Sequence, residues 1–486
     1  MMNLTIIGGG IAGLAAAYYT QKQSDIPLKI TLLEKAGYWG GKLVTERVPS
    51  DEGRFVIEGG PDTFVVTKPW ALSLCRELGL DDRLRGTNPE TKKTYILKKE
   101  VLHELPGGLT MMIPTEFGPM IRTGLLSWPA KARMGMDFFL PAAAENGDET
   151  LGAFVTRRLG RPAYENLIEP LMSGIYAGDG DHLSLQSTFP YLRNLEIKHG
   201  GLVKGALAVR RERAQKAKAR RESLQPTPGS RSIFLTPLTG LAEIVEALVD
   251  HLVFSGVDLR LGVSAQEITR LSDGYRVDLS TGESLSTDGL ILATPPYVSG
   301  ALIQGFAPDL AAELTAIDYV STATVTLAYK ESDLPRPLDG YGYVIPRREG
   351  RKALACTWTS TKFPHRAPEG YGLVRVFIGR AGQEGEIPWD EAGLLDVARE
   401  ELQLTLGITA EPLLSRIYCW EKAMPQYNLG HPQRLERINT ALEAFPGLGL
   451  AGNGYQGIGI PDCIHSGELA VEQVLHALLK LEMQFD

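Results

Sequence analysis

The start of the chain alternates two apolar stretches with one stretch of small residues. Residues 4–7 (LTII) and 30–33 (ITLL) predict buried strands, and residues 11–19 between them predict a helix rich in alanine. Two strands joined by one helix predict a βαβ unit with parallel strands. Residues 1–21 carry no charged side chain, but a run of three glycines interrupts them at positions 8–10 and no basic segment precedes them. We therefore interpret them as a buried strand and helix, not as a signal peptide or a membrane span.

The pattern changes from helical to sheet-like further along the chain. Residues 70–200 predict mostly helix, broken at prolines, whereas residues 314–435 alternate strand and turn signals and predict a mostly antiparallel sheet. The other apolar runs predict strands at residues 55–58, 258–263, 288–294 and 449–453, and helices that begin near Ala242 and Pro461.

Glycines at the end of the first strand indicate a nucleotide site. They have the spacing G-x-G-x-x-G, and Glu34 closes the second strand about 20 residues on. Gly8 permits a tight turn, Gly10 lets a pyrophosphate approach the backbone, and Gly13 lets helix and strand pack closely. The helix N-terminus favours phosphate, and Glu34 can accept hydrogen bonds from a ribose. The alternative is an ordinary glycine-rich turn, but the complete strand–helix–strand setting favours dinucleotide binding.

Composition narrows the class of protein. The chain has 486 residues, 43% hydrophobic and 22% charged, with a net charge of −8. This length predicts two or three domains, and the acidic balance argues against a nucleic-acid binder. The four cysteines are far apart, fit no metal-ligand spacing and are expected to be reduced. We predict no metal site.

Arg210 to Arg231 form the most basic segment, with eight basic and two acidic residues. A solvated helix end and loop is the ordinary interpretation. The functional interpretation is a mobile basic flap near an anionic substrate or an acidic membrane surface.

The expected chemistry is a dehydrogenation. One dinucleotide fingerprint is present and no second one, whereas reductases that pass electrons from NAD(P)H to flavin usually carry two. Nucleophile elbow, P-loop and clustered metal ligands are absent from the sequence. A bound flavin would accept hydride and be reoxidised by oxygen or another acceptor. The helix predicted from Pro461 would direct its positive end at that flavin. We assign no catalytic general base.

The chain resembles a known family in motifs that span nearly its whole length. They lie at residues 7–17, 40–42, 58–64, 166–170, 173–179, 420, 424–427 and 457–463. On these motifs the chain resembles the FAD-dependent protoporphyrinogen and coproporphyrinogen III oxidases of heme synthesis. The first motif is shared with all amine-oxidase relatives, whereas residues 173–179 (SGIYAGD) and 459–463 (GIPDC) are far more specific.

The resemblance implies an α/β plus α+β fold: a Rossmann-like FAD domain of the p-hydroxybenzoate-hydroxylase and amine-oxidase type, a mixed-sheet substrate domain and a helical domain that faces a membrane in relatives. We place the FAD-binding domain at residues 1–87, 230–300 and 440–486, the helical domain at 88–229 and the substrate-binding domain at 301–439. The implied reaction is a six-electron oxidation of a porphyrinogen to a porphyrin, with oxygen reduced to hydrogen peroxide.

The resemblance also implies which residues hold FAD. They are Gly8, Gly9, Gly10, Ile11, Ala12, Gly13, Glu34 and Lys35 at the ADP end, Val263 at the adenine, and Gly41, Lys42, Gly60, Pro61, Asp62, Thr63, Trp420, Asn453, Ile458, Gly459 and Ile460 around the flavin and ribitol.

Two departures from the eukaryotic pattern indicate the Gram-positive branch, which prefers coproporphyrinogen III. Asp62 and Thr110 stand where the eukaryotic branch has arginines. Lys68 matches a lysine of the Gram-positive motif and is a candidate contact for a substrate carboxylate; a plain surface lysine before Pro69 is the alternative.

Other functions stay open at this point. Protoporphyrinogen IX is the alternative substrate, an amine oxidase or carotenoid desaturase is a more distant possibility, and a flavin-free binding protein is the non-enzyme alternative. We expect a cytoplasmic protein, and the resemblance leaves room for a weak peripheral contact with the membrane and a transient contact with a downstream ferrochelatase. We expect no nucleic-acid partner.

Overall fold

A computed structural model of the chain describes residues 2–110, 113–143, 147–223 and 232–485. The strands are β1 Met2–Ile7, β2 Leu28–Glu34, β3 Thr45–Ser50, β4 Gly53–Glu58, β5 Phe64–Val65, β6 Leu84–Gly86, β7 Tyr95–Lys98, β8 Val101–Glu104, β9 Leu109–Thr110, β10 Ile113–Pro114, β11 Phe234–Pro237, β12 Asp258–Leu261, β13 Ala265–Leu271, β14 Gly274–Leu279, β15 Ser284–Thr287, β16 Gly289–Leu292, β17 Tyr319–Lys330, β18 Gly342–Val344, β19 Ala353–Trp358, β20 Tyr371–Ile378, β21 Leu414–Pro425 and β22 Leu448–Leu450.

The helices are α1 Ile11–Gln23, α2 Trp70–Glu77, α3 Phe117–Arg122, α4 Trp128–Gly135, α5 Leu151–Leu159, α6 Arg161–Ala163, α7 Glu169–Tyr176, α8 Leu185–Thr188, α9 Pro190–His199, α10 Leu202–Ser223, α11 Ala242–Phe254, α12 Pro296–Ile303, α13 Pro308–Thr315, α14 Thr359–Lys362, α15 Glu391–Leu406, α16 His431–Leu442 and α17 Ile460–Phe485.

A parallel five-stranded sheet forms the centre of the nucleotide-binding part. Its order is β12-β2-β1-β16-β22, so β1 has a hydrogen-bonded neighbour on both sides. Helix α1 packs closely against α17. A Cβ on Gly467 of α17 would lie only 2.4 Å from the Ala12 carbonyl oxygen of α1. Glycine at position 467 of α17 therefore permits this close approach to α1. Segments from the start, middle and end of the chain meet at the carboxyl ends of these strands, where ligands bind in open α/β sheets.

A seven-stranded sheet of order β21-β17-β20-β19-β18-β7-β8 forms the second layer. Its pairs are antiparallel except the parallel pair β18–β7. The mostly antiparallel sheet predicted for residues 314–435 is present. The expectation of mostly helix over residues 70–200 is wrong at β6 to β10, because β6 pairs with the distant β11 and β7 with the distant β18, which the local pattern does not reveal. The domain boundaries stay a prediction, and β7 and β8 fall within the segment proposed as helical.

Helices α3 to α10 pack around a core of their own, which includes Phe154, Leu167 and Met172. Tyr427 joins that core from the segment after β21. Residues 224–231 of the basic segment from Arg210 to Arg231 lie outside the described part of the chain. The side chain of Thr110, which bears on the predicted branch, also lies outside it. Among the described helices, none is both long and apolar enough to cross a membrane.

Candidate active site

The glycine loop between β1 and α1 leaves a buried helix end without a protein cap. Gly8 has φ +110°, and a Cβ there would lie 2.6 Å from the Ala293 carbonyl oxygen, so only glycine fits the turn. Gly10 precedes α1 with no side-chain cap, and the first turn holds no acidic residue. A Cβ on Gly10 would meet no heavy atom within 4 Å. Uncapped donors at a helix N-terminus beside open space fit a diphosphate.

Glu34 connects this loop to the end of β2. Its carboxylate accepts from the Gly9 N–H at 2.7 Å and from the Ala36 N–H at 2.8 Å. The Val263 N–H donates to the Glu34 carbonyl oxygen at 3.0 Å. The structure thus brings Val263 to Glu34. Val263 lies two residues beyond the end of β12, whereas the sequence predicted it at the end of that strand. Lys35 lies beside them, exposed. This arrangement fits the adenosine end of a dinucleotide.

Backbone packs directly on backbone in the middle of the site. The Gly40 N–H donates to the Gly9 carbonyl at 2.8 Å. A Cβ on Gly41 would lie 3.2 Å from the Gly10 Cα, and one on Gly60 would lie 1.9 Å from the Lys42 carbonyl oxygen. The three glycine-containing segments therefore meet with no side chain between them, which leaves their outer face for a large flat ligand.

Lys42 is a buried cation at this meeting point. Its Nζ donates to the Ala423 carbonyl oxygen at 2.7 Å. Burial lowers the pKa of Lys42 to about 8, against a smaller opposing effect of the Cys463 side chain. A cation placed here can attract the negative charge that a dinucleotide brings.

Lys42 should make the stability of the apo-protein depend on pH. The unfolded lysine has its ordinary pKa of 10.5, so between pH 8 and 10.5 the unfolded chain binds more protons than the folded one. The free energy of unfolding of the wild type, relative to Lys42→Met, should therefore rise by about 3 kcal/mol over this range. Urea unfolding at several pH values measures it. Lys42→Arg keeps its charge throughout and should show no such rise, and a flat wild-type difference would contradict the assignment.

Trp420 and Asn453 form the opposite wall. Trp420 Nε1 donates to the Gly59 carbonyl oxygen at 2.8 Å, and the Tyr427 hydroxyl donates to the Asn453 carbonyl at 2.5 Å. Ile458 contacts the core of the helical region, while Ile460 begins α17. The site thus lies where the two sheets and the helical region converge, with the positive end of α17 beside it.

Lys68 is not free in the structure. Its Nζ pairs with Asp462 Oδ1 at 2.6 Å, and Asp462 Oδ2 accepts from the Gly459 N–H at 3.2 Å. The Lys68 side chain is 44% exposed and that of Asp462 11%. A substrate carboxylate would have to displace Asp462 to use this lysine.

Sequence reasoning missed the buried charges beneath the loop of residues 59–63. Glu58, Arg366 and Arg375 lie within or beside apolar segments, and the partners Glu58 and Arg366 are 308 positions apart. A single charge inside an apolar strand is the signal that could have found them, because a buried charge needs a partner.

The parallel sheet, the glycine loop and the second sheet over the nucleotide site define a flavin-dependent oxidoreductase. The family of flavin-containing amine oxidoreductases matches residues 11–475. The chain is 37% identical to a coproporphyrinogen III oxidase of Bacillus subtilis, over 97% of this chain and 98% of that protein. It is 34% identical to a coproporphyrinogen III oxidase of Staphylococcus aureus, over 98% of this chain and 99% of that protein.

A crystal structure from Exiguobacterium sp. 255-15, provisionally described as a protoporphyrinogen oxidase, aligns with a TM-score of 0.83 and 32% identity, covering 98% of this chain and 99% of that one. The chain belongs to the porphyrinogen oxidase branch of the flavin-containing amine oxidoreductases. The expected fold class and the cofactor FAD are confirmed. The FAD-binding residues and Lys68 stay predictions.

Proposed function

We propose that this protein oxidises coproporphyrinogen III to coproporphyrin III in heme synthesis. The observation that carries the proposal is the end-to-end similarity to coproporphyrinogen III oxidases, at 37% and 34% identity. Asp62 and Thr110, which depart from the eukaryotic pattern, support the same branch.

Bound FAD supplies a hydride acceptor, and the reaction removes six electrons in three two-electron steps. The chain's own residues bind and orient the cofactor and the substrate. The glycine loop holds the diphosphate, Lys42 places positive charge at the cofactor, and Trp420 and Asn453 close one wall. Lys68, at the rim, exchanges Asp462 for a substrate carboxylate. Oxygen is the proposed electron acceptor, with hydrogen peroxide as product.

A side-by-side assay tests the substrate. FAD-loaded protein is given coproporphyrinogen III or protoporphyrinogen IX in air, and porphyrin fluorescence and peroxide are followed. We expect kcat/KM for the tetracarboxylate to exceed that for the dicarboxylate by about tenfold or more. A preference for the dicarboxylate would overturn the proposed substrate, and absence of product from both would overturn the porphyrinogen activity.

Lys68→Ala tests, in the same assay, whether Lys68 contacts a substrate carboxylate. Loss of an exposed charge-assisted contact should raise KM for coproporphyrinogen III by about three- to tenfold and leave kcat nearly unchanged. Lys22→Ala is the matched control, because Lys22 also pairs with a carboxylate (Glu77, at 2.8 Å) and its side chain is 49% exposed. Equal effects of both substitutions would remove Lys68 from the site.

Protoporphyrinogen IX stays the second candidate substrate, since the Exiguobacterium structure carries that name. An amine oxidase or a desaturase has only the shared family fold in its favour.

We also propose a cytoplasmic location with weak peripheral contact to the membrane. Four unpaired cysteines support a reducing compartment. Trp128 and Phe139 are 68% and 85% exposed, and Lys131 and Lys204 lie 4.7 and 4.9 Å from the rings of Trp128 and Phe138. Exposed aromatics beside lysines suit an anionic lipid surface, and sedimentation with anionic against neutral vesicles tests this contact.

A transient contact that delivers product to a ferrochelatase is proposed from the order of the reactions alone.

A further inference from the structure

Two arginines from the second sheet region hold the loop that begins at Glu58. Arg375 lies on β20, is 1% exposed, and donates to the Gly59 carbonyl at 3.1 Å, to the Gly60 carbonyl at 2.5 Å and to Asp62 Oδ1 at 2.5 Å. A buried guanidinium that makes three such bonds fixes the conformation of the segment it contacts.

Arg366 holds the two ends of the same loop. It is fully buried and donates to Glu58 Oε1 at 2.9 Å, to the Asp62 carbonyl oxygen at 2.9 Å and to Thr236 Oγ1 at 2.7 Å. Together the arginines bind the carbonyls of Gly59, Gly60 and Asp62, and the Gly59 carbonyl also accepts from Trp420 Nε1 at 2.8 Å and Thr324 Oγ1 at 3.1 Å.

This arrangement decides where the amide groups point. In a trans peptide the N–H is directed opposite to the preceding C=O. With the Gly59 and Asp62 carbonyls directed at the arginines, the N–H groups of Gly60 and Thr63 face the other way. Within the described residues, neither N–H donates to a protein acceptor. Backbone donors in a half-buried loop need a partner, and they lie in the loop assigned to the flavin.

The charges explain why arginine is used. Burial alone would raise the pKa of Asp62, but Arg375 and Lys362 outweigh it and hold that pKa below its usual value. For Glu58, burial prevails over Arg366 and raises the pKa. Burial also lowers the pKa of Lys362, so the positive charge beneath the loop comes from the guanidinium groups of Arg366 and Arg375, which the Asp62 carboxylate opposes. Such charge favours electron uptake by a flavin bound above it.

We propose that Arg375 is a positioning residue for FAD, which holds the carbonyl side of the loop from Gly59 to Asp62 so that its amide side faces the flavin. The proposal depends on the family's cofactor and not on the substrate proposed above. Arg366 supports the same loop from its ends.

Arg375→Met tests the proposal, with Arg380→Met as the matched control. Arg380 is also 1% exposed, donates to the Ile345 carbonyl at 3.2 Å and the Ala353 carbonyl at 2.9 Å, and pairs with Glu169 at 4.0 Å; within the described part of the chain it forms no hydrogen bond or ion pair with the loop. FAD is titrated into each apo-protein and binding is followed by quenching of flavin fluorescence; urea unfolding of the apo-proteins reports stability. Arg375→Met should weaken FAD binding by about tenfold or more.

Arg380→Met should destabilise the apo-protein but leave the Kd of FAD within about twofold. Arg375→Lys should recover part of the lost affinity, and the midpoint potential of FAD in Arg375→Met should become more negative. Unchanged affinity in Arg375→Met, or equal loss in both arginine variants, would overturn the proposal. If Arg375→Met does not fold, Arg375→Lys and Asp62→Asn decide it: both should weaken FAD binding, and wild-type affinity in both would overturn it.

Discussion

Gly10→Val should give a folded protein that no longer binds FAD. Gly10 is the fingerprint glycine whose Cβ would meet nothing within 4 Å, and its backbone angles, φ −70° and ψ 176°, are allowed for any residue. The protein therefore accepts a side chain there, but that side chain would occupy the space in front of the α1 N-terminus. We expect the Kd of FAD to rise by about 100-fold or more, or ~2.7 kcal/mol. Titration of apo-protein with FAD measures the affinity, and circular dichroism checks the fold.

Two glycines provide the comparison. A Cβ on Gly37 also meets nothing within 4 Å, and Gly37 lies outside the glycine loop, so Gly37→Val should bind FAD normally. A Cβ on Gly13 would lie 1.9 Å from the Gly8 carbonyl oxygen, so Gly13→Val should lose stability as well as cofactor. FAD binding by Gly10→Val within about threefold of the wild type would place the diphosphate elsewhere.

The contrast among these glycines shows what the sequence could predict. Spacing alone predicts β1, α1, β2 and the turn between them, because each depends on neighbours in the chain. Spacing also assigns open access to Gly10 and close packing to Gly13. The structure adds the contacts: a Cβ on Gly13 would lie 1.9 Å from the Gly8 carbonyl oxygen, whereas one on Gly10 meets nothing within 4 Å.

The sequence could not predict contacts made between distant segments. Strands β7 and β8 join a sheet formed mainly by residues after position 319, and a short apolar strand looks like part of a helix when its partners are unknown. The ion pair of Lys68 with Asp462 joins residues 394 positions apart. Neither residue carries a local signal for its partner, so the sequence offered Lys68 as a substrate contact or a plain surface lysine and did not reveal the ion pair.

Asp137 lies in a second buried charge cluster, within the helical region. Asp137 and Arg158 are both fully buried, and Arg158 Nε donates to Asp137 Oδ1 at 2.6 Å. Asp137 Oδ2 also accepts from the Val203 N–H at 2.8 Å, which connects the turn after α4 to the start of α10. The exposed Phe138 and Phe139 follow directly in the chain. The cluster thus holds in place the segment that presents the proposed membrane contact.

Asp137→Ala should cost about 2–4 kcal/mol of the free energy of unfolding, because Arg158 loses its 2.6 Å ion pair and keeps only the longer 3.4 Å pair with Glu196, and the Val203 N–H loses its acceptor. Asp137→Asn should cost less, since its carbonyl oxygen keeps one acceptor. Glu165→Ala is the control: Glu165 pairs with Arg161 at 2.8 Å, but their side chains are 33% and 48% exposed, so the expected cost is about 0.5 kcal/mol or less. Urea unfolding and hydrogen exchange over α5 and α10 measure the difference. Equal costs for Asp137→Ala and Glu165→Ala would mean that the pair does not stabilise this region, and that the packing of apolar side chains such as Phe154 and Leu167 alone holds it.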